Sequence, residues 1–313
     1  MGQPRIEFRD VRDLERAIQR HLAAFPQDID LVVGVPRSGL LAANLFALHR
    51  HLPLTDVEGL LEGRVMKAGK RIGEQRGQLI DDARRILVLD DSIFSGQALE
   101  RTRRALDSAP FADKVLYGAV FSIPGSVGLV DHVCEVVPPP RIFSWNLMTH
   151  TIIEDACVDI DGVLCADPTP EENDDGERYL AFLADAKPLR RPSRPIGTLV
   201  TSRLERYRPE TEAWLARHGI EYGALRMLDL PDAETRRRLN NHAAFKASVF
   251  RETGAPLFIE SSRRQAREIA ARTGKPVICT DTSTFHHHRT VVERTRKRLG
   301  PIRRRVERTL RRR

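Results

Sequence analysis

The sequence has no run of about 18 apolar residues, so we expect no membrane-spanning helix. Its first residues, Met1–Arg5, lead directly into charged residues and lack the apolar segment of a secretory signal. Cysteine is scarce, and the four cysteines form no CxxC pair, which argues against a zinc site or a disulfide framework. We therefore expect a cytoplasmic protein with reduced cysteines.

Excess positive charge is confined to the C-terminus. Residues 289–313 have a net charge of +10 and the whole chain has +8, so residues 1–288 have −2. Within this tail, Leu299, Ile302, Val306 and Leu310 recur at helical spacing, with arginines on the other faces. A basic amphipathic helix is typical of membrane-surface binding, of nucleic-acid binding or of a brace between domains, and a solvated, frayed tail is the alternative.

Apolar strand-like segments alternate with amphipathic helical segments, which predicts an α/β protein with parallel sheets covered on both faces. The 313 residues favour two domains, and the proline-rich Val137–Arg141 interrupts the pattern between them. We expect two Rossmann-like, doubly wound domains, over 1–150 and 151–285, and a basic helical tail over 286–313. The predicted strands are 30–35, 86–89, 115–122, 156–158, 196–200, 224–228, 257–259 and 277–279. The predicted helices are 12–22, 40–49, 96–106, 209–218, 233–251 and 263–273.

One strand of the first series, Ile86–Leu89, ends in two acids, a loop of mostly small residues and a helix. The carboxylates of Asp90 and Asp91 are suited to accept hydrogen bonds from the two vicinal hydroxyls of a ribose. The loop Ser92–Gly96 can turn backbone N–H groups toward a phosphate, and the following helix adds the positive end of its dipole. A strand end with solvated acids is the alternative.

These residues resemble the phosphoribosyl diphosphate (PRPP) motif of type I phosphoribosyltransferases. Leu31–Gly39, a strand followed by Pro-Arg-Ser-Gly, is similar to that family's diphosphate loop. Gly63–Gly73, glycine-rich and basic, is similar in position to its mobile loop. The resemblance covers about residues 25–150. It implies that Asp90 and Asp91 hold the ribose hydroxyls, that the 5-phosphate lies on Ser92, Ser95, Gly96 and Gln97, and that Arg37, Ser38 and Gly39 face the diphosphate and its Mg²⁺.

Two features leave the phosphoribosyl acceptor open. Phe94 and Ala98 stand where the family usually carries threonine, so the phosphate relies more on backbone donors. Phe143 and Trp145 lie near the end of the first domain, where they either line an acceptor pocket or pack between domains. No acceptor-binding residue follows from the resemblance.

The second acidic motif is Val158–Leu164, in which Asp159 and Asp161 are one residue apart and precede a glycine. A calcium-type loop or a plain turn gives the same pattern. The segment resembles motif one of the haloacid dehalogenase (HAD) phosphohydrolases. This implies that Asp159 attacks phosphorus, that Asp161 acts as acid and base, and that both flank one Mg²⁺.

Later segments resemble the other motifs of that superfamily. Thr201 follows the strand-like run 196–200 and would hold a phosphate oxygen. Lys246, on a predicted helix, would neutralise charge, although a solvated lysine is the alternative. Glu260 stands where two acids are usual, which gives a predicted metal set of Asp159, Asp161 and Glu260. Only 39 residues separate Asp161 from Thr201, and 44 separate Thr201 from Lys246, which predicts a small cap and an open site.

The two resemblances together imply transfer of 5-phosphoribose from PRPP to an acceptor and removal of the 5-phosphate. This order is similar to the phosphoribosyltransferase and phosphatase pairs that build ribofuranose into bacterial polysaccharides. It implies a glycan or lipid-linked glycan acceptor and a cytoplasmic enzyme at the inner membrane face, with nucleic acid not expected as a partner. The alternatives are a nucleobase or orotate phosphoribosyltransferase fused to a nucleotidase, and a PRPP-sensing regulator that binds nucleic acid.

Overall fold

The computed structural model describes residues 6–66, 80–239 and 241–287. Most of the glycine-rich basic segment 63–73 and nearly all of the predicted tail 286–313 lie outside the described residues. The chain divides into two compact units, Met1–Trp145 and Asn146–Arg313. In the described residues, no helix is both long and apolar enough to cross a membrane.

The first unit contains a five-stranded parallel sheet and a separate two-stranded parallel pair. Its strands are β1 (Glu7–Arg9), β2 (Leu31–Gly34), β3 (Leu54–Asp56), β4 (Ile86–Ile93), β5 (Val115–Ser122), β6 (His132–Val136) and β7 (Arg141–Phe143). Its helices are α1 (Val11–His21), α2 (Ser38–Arg50), α3 (Val57–Leu61) and α4 (Gln97–Leu106). The strand order is β3-β2-β4-β5-β6, and β1 pairs with β7.

Alternate residues of β2 and β4 pack into two separate hydrophobic clusters. Val32 and Leu87 lie in a cluster with residues of α1 and α2. Val33 and Val88 lie in another with residues of α3 and α4. Because successive side chains of a strand point to opposite faces, helices cover both faces of this sheet. The prediction of an α/β protein with parallel sheets is confirmed for this unit.

Strand β4 is longer than the sequence pattern predicts. The prediction ended it at Leu89, whereas it extends to Ile93 and includes Asp90 and Asp91. The reason is its neighbour β5, which pairs with β4 as far as Ile93 opposite Ser122. Backbone pairing therefore continues through the two acids, which lie within the last part of the strand and not beyond it.

The second unit contains a six-stranded sheet of order β10-β9-β8-β11-β12-β13, parallel except for the edge strand β13. Its strands are β8 (Cys157–Val158), β9 (Ile196–Leu204), β10 (Tyr222–Leu228), β11 (Phe258–Glu260), β12 (Val277–Cys279) and β13 (Thr284–His286). Its helices are α5 (Glu177–Asp185), α6 (Arg208–Arg217), α7 (Ala233–Leu239), α8 (His242–Glu252) and α9 (Arg263–Thr273).

Two elements of the second unit differ from the prediction. Strand β9 continues past Val200 to Leu204, so Thr201 lies within the strand and not after it. The single helix predicted over 233–251 is two helices, and α8 starts after Asn241. Asparagine favours helix caps over helix interiors, which accounts for this interruption. The assignment of this unit to the HAD fold stays a prediction.

Candidate functional site

The first candidate site lies where β2 and β4 end side by side. Gly34 pairs with Leu89 in the parallel register, which brings the segment after β2 against the acids of β4. At Gly39 on α2, a methyl group would lie 2.8 Å from Oδ1 of Asp90, so only glycine allows this approach. The structure thus brings the predicted diphosphate loop, residues 37–39, next to the predicted ribose carboxylates. The peptide bond between Pro36 and Arg37 is cis.

The predicted 5-phosphate loop leads from β4 into α4. Gly96 has φ of 78°, in the left-handed region that glycine adopts without strain, and it precedes the first turn of α4. The backbone N–H of Gln97 lies 3.5 Å from Oγ of Ser95. Phe94 is 59% exposed and offers no hydroxyl, so N–H groups at the start of α4 are the donors available to an anion.

Asp90 and Asp91 are both buried, and their charges interact. Burial, together with the neighbouring charge of Asp91, raises the pKa of Asp90 to about 8. The backbone N–H of Asp91 donates to Oδ1 of Asp90 over 2.8 Å. Arg141 is also buried, and its guanidinium donates to the backbone oxygen of Ile93 over 2.7 Å. Burial lowers the pKa of Arg141, and the charge of Asp91 opposes that shift.

Trp145 orients one of these carboxylates. Its Nε1–H donates to Oδ2 of Asp91 over 2.9 Å. Its ring stacks on Phe143 at 5.0 Å between centroids, and Phe143 stacks on Phe121 at 5.4 Å. Sequence reasoning missed this contact because 54 residues separate the partners. The sequence offered only a general indication of this contact, because a partly buried indole N–H needs an acceptor.

The second candidate site lies across three neighbouring strands of the other unit. Val158 of β8 pairs with Leu199 of β9 on one side and with Ile259 of β11 on the other. Parallel strands end at the same edge of a sheet, so this register gathers Asp159, Thr201 and Glu260 there. Lys246 reaches the same point from α8.

Lys246 joins two acids that are far apart in the sequence. Its Nζ lies 2.6 Å from Oδ2 of Asp159 and 2.7 Å from Oε2 of Glu260, and all three side chains are at most 5% exposed. Burial raises the pKa of Asp159 well above its usual value, against the opposing effect of Lys246. Burial acts to lower the pKa of Lys246, but the two carboxylates outweigh it and the pKa is raised.

Asp161 is held by a buried arginine. Nη2 of Arg203 lies 2.7 Å from Oδ1 of Asp161, and Nε lies 3.2 Å from Oδ2. The Arg203 side chain is 0% exposed and also contacts Sγ of Cys165 at 3.3 Å. Burial acts to raise the pKa of Asp161, but the charge and hydrogen bonds of Arg203 lower it below its usual value. Asp161 is therefore a carboxylate at neutral pH.

Thr201 and Arg203 both contact Asp161 from β9. Thr201 is fully buried, with Oγ1 3.5 Å from Oδ2 of Asp161, and it accepts a hydrogen bond from the backbone N–H of Arg203. Sequence reasoning gave Arg203 no role, because nothing local separates it from the other 50 basic residues. The only signal was its position in an apolar strand, where a buried guanidinium requires an acid.

These residues meet at a cavity of about 400 Å³. Asp159, Asp161 and Lys246 line it, whereas Glu260 does not. Most of the remaining wall is polar. The other lining residues are Asp167, Pro168, Asn173, Tyr179, Ser202, His242, Ser261, Ser262, Arg263, Gln265 and Asp281. The cavity therefore suits a charged, hydroxyl-rich ligand.

Magnesium fits the oxygen donors of this site. In residues 6–66, 80–239 and 241–287, no group of three His, Cys, Asp or Glu side chains is placed to hold a metal ion. Mg²⁺ does not require one, because one or two carboxylates, water and substrate phosphate oxygens complete its shell. Asp159 lines the cavity and keeps lone pairs beyond those used by Lys246, so it would hold the ion, whereas the role of the fully buried Glu260 as a ligand stays a prediction. Both oxygens of Asp161 accept from Arg203, and its role as a third ligand stays a prediction.

No protein-family model matches this chain, and no curated protein matches it. Seventy solved chains do match. One is the Helicobacter pylori xanthine-guanine-hypoxanthine phosphoribosyltransferase, at 16% identity and a TM-score of 0.34, with 46% of this chain and 95% of that chain covered. A purine phosphoribosyltransferase from Pyrococcus horikoshii has 15% identity and a TM-score of 0.31, with 45% and 93% covered.

A third similar structure is the Leishmania donovani UMP synthase, at 15% identity and a TM-score of 0.29. It covers 44% of this chain, and the match spans 28% of that protein. At these scores, the similarities by themselves assign no activity to this chain.

Proposed function

We propose that the first unit transfers 5-phosphoribose from PRPP to a glycan acceptor, and that the second unit then hydrolyses the 5-phosphate. The product is a ribofuranosyl group on the acceptor. The observation that carries this proposal is the presence, in one chain, of two separate acidic sites. One has a pair of buried acids beside residues 37–39 and the loop that leads into α4, and the other has Asp159 held by Lys246 at the wall of a cavity.

In the first step the protein positions the donor. The carboxyl oxygens of Asp90 and Asp91 accept hydrogen bonds from the two ribose hydroxyls, and N–H groups around Ser95–Gln97 bind the 5-phosphate. Arg37 and Ser38 face the diphosphate, whose departure leaves an oxocarbenium-like centre at C1. The bond from C1 to diphosphate breaks, and the acceptor oxygen bonds to C1 as its proton passes to the departing diphosphate.

In the second step Asp159 acts as the nucleophile. Its carboxylate oxygen bonds to phosphorus, the bond between phosphorus and the sugar 5-oxygen breaks, and that oxygen takes its proton from solvent, because Asp161 is already ionised. Asp161 then takes a proton from water, which attacks the aspartyl phosphate and releases inorganic phosphate. The contact with Arg203 favours this hydrolysis of the aspartyl phosphate, because it keeps Asp161 ionised and able to accept the proton. Bound Mg²⁺ would add positive charge at the transferring phosphoryl group.

The cavity wall favours a sugar phosphate over a nucleotide. Among the described residues that line the cavity, Tyr179 is the only Phe, Tyr or Trp. It is 2% exposed, and it packs edge-on against Tyr207 at 4.9 Å between centroids. A nucleobase usually stacks on an exposed aromatic face, which Tyr179 does not offer, whereas polar walls suit a polyhydroxylated leaving group. This observation ranks the ribofuranosyl product above a nucleotidase product.

The direct test supplies the wild-type protein with Mg²⁺, PRPP and a panel of acceptors. We expect diphosphate and inorganic phosphate to be released in equal amounts with a glycan acceptor, and a ribofuranosyl product to be detected by mass spectrometry. Equal release with a purine, a pyrimidine or orotate would contradict the glycan assignment. Release of neither ion, with salt-sensitive binding to duplex DNA instead, would contradict the enzymatic assignment.

Replacing Trp145 with phenylalanine is expected to weaken PRPP binding about tenfold. The change keeps an aromatic ring but removes the N–H that donates to Asp91, and hydrogen bonds to charged groups typically contribute about 1.5–3 kcal/mol. Titration calorimetry with PRPP and Mg²⁺ measures the dissociation constant. The matched control is Trp214→Phe, since Trp214 is buried in the other unit and donates to Ala186. An unchanged PRPP affinity in Trp145→Phe would refute the positioning role.

A further inference from the structure

The first turns of α9 carry three exposed arginines beside the cavity of the second unit. Arg263, Arg264 and Arg267, together with Glu268, line a second open cavity of about 590 Å³. Arg263 also lines the cavity that contains Asp159. The two cavities therefore adjoin at this residue, and a ligand that fills the first can extend onto the arginines.

Among the described residues that line this second cavity, Glu268 is the one acid, and it is engaged by Arg272. In the described part of the chain, none of the three arginines forms an ion pair, whereas Arg272 on the same helix pairs with Glu268 at 2.8 Å. Burial, followed by the charges of Arg267 and Arg263, lowers the pKa of His286 on the adjoining strand β13. The positive potential at this surface thus affects the pKa of a neighbouring side chain. A bound anion would neutralise this potential.

The spacing of the arginines suits a phosphate group. Arg263 and Arg267 are four residues apart, so they share one face of α9 with a rise of about 6 Å between them. Guanidinium groups bind phosphate oxygens in pairs, which gives both affinity and orientation. The N-terminus of α9, capped by Ser262, adds the positive end of the helix dipole.

Gln265 lies on α9 between Arg264 and Arg267. It lines the cavity of Asp159, and its buried Oε1 has no hydrogen-bond donor in the described residues. A buried carbonyl oxygen without a donor costs free energy unless a ligand supplies one. A hydroxyl between two anionic groups of a substrate would do so.

We propose that Arg263, Arg264 and Arg267 form a second anion site, which binds a further phosphate or diphosphate group of the substrate whose phosphate is cleaved at Asp159. This inference rests on the proposed phosphatase activity and specifies its substrate class. The substrate is a phosphorylated sugar that carries a second phosphate group beyond its hydroxyl-bearing part.

The test compares ribose 1,5-bisphosphate with ribose 5-phosphate, measuring phosphate release in the full-length protein. We expect the wild type to have a KM about tenfold lower for the bisphosphate, in line with one charge-assisted Arg–phosphate contact. In the double variant Arg264→Gln/Arg267→Gln, this KM ratio should fall to about one. Arg272→Gln is the matched control, because Arg272 lies on the same helix but is paired with Glu268.

A second measurement uses inorganic diphosphate as an inhibitor. Diphosphate should inhibit the wild type about tenfold more strongly than inorganic phosphate, and the double variant should lose this difference. A ratio of KM values that stays unchanged in the double variant would overturn the inference. An equal rise in KM for both substrates would also overturn it, because this indicates general attraction of anions. A wild type that hydrolyses neither substrate would instead contradict the phosphatase assignment.

Discussion

Replacing Asp159 with asparagine should reduce inorganic phosphate release by at least about 10³-fold while diphosphate release from PRPP continues. Asparagine has the shape of aspartate but cannot form the aspartyl phosphate. Its side-chain oxygen can still accept from Lys246, which also keeps its bond to Glu260, so the variant should fold. The acceptor should then accumulate as a phosphoribosyl adduct that retains its 5-phosphate.

Mass spectrometry of the acceptor distinguishes the two products. With wild type, we expect the ribofuranosyl product, and with Asp159→Asn the heavier phosphorylated one. Asp185→Asn is the control, since Asp185 is an exposed acid at the end of α5 in the same unit. If wild type and Asp159→Asn give the same product, the two-step function is wrong.

The second large effect concerns stability. Replacing Lys246 with methionine should destabilise the second unit by about 3–5 kcal/mol, because Asp159 and Glu260 then remain buried without their shared cation. Methionine has nearly the length of lysine and fills the same space, so lost packing contributes little. Denaturant unfolding measures the change in the free energy of unfolding. Lys187→Met, at an exposed position, is the control and should change it by less than about 0.5 kcal/mol.

The loss of unfolding free energy caused by Lys246→Met should depend on pH. Burial already raises the pKa of Asp159 in the wild type, and loss of the lysine charge raises it further. A carboxyl whose pKa is higher in the folded than in the unfolded state destabilises the protein increasingly as pH rises between those two values. The difference from wild type should therefore shrink when the pH is lowered from 8 to 5. A difference that grows on acidification would contradict this account.

Apolar runs predicted the main strands well, because buried parallel strands need continuous apolar residues. Val115–Ser122 and Val277–Cys279 have the predicted bounds. Short strands with mixed burial, such as Leu54–Asp56 and His132–Val136, were missed, since three to five such residues carry little pattern. The extension of β4 through its acids depends on pairing with β5, which no local pattern contains.

Sequence reasoning proposed the acids of both sites from local motifs, because the residues before and after them place each acid at a strand end. It did not find the contact of Trp145 with Asp91 or that of Arg203 with Asp161, because each joins residues more than 40 positions apart. Both side chains are donors that find a buried carboxylate only after the sheet has formed. The partner of a buried polar group is set by tertiary packing, and one sequence does not determine it.

The strand order of the second unit has a consequence for synthesis on the ribosome. Strand β8 is made first but lies inside the sheet, between β9 and β11. Asp159 consequently has no cation until Lys246 has emerged, and the triad is incomplete until Glu260 follows. The first unit differs, because its acids and both loops are complete by residue 97, and β5, Arg141 and Trp145 follow within the next 48 residues. During translation the first unit can thus assemble about 100 residues before the second.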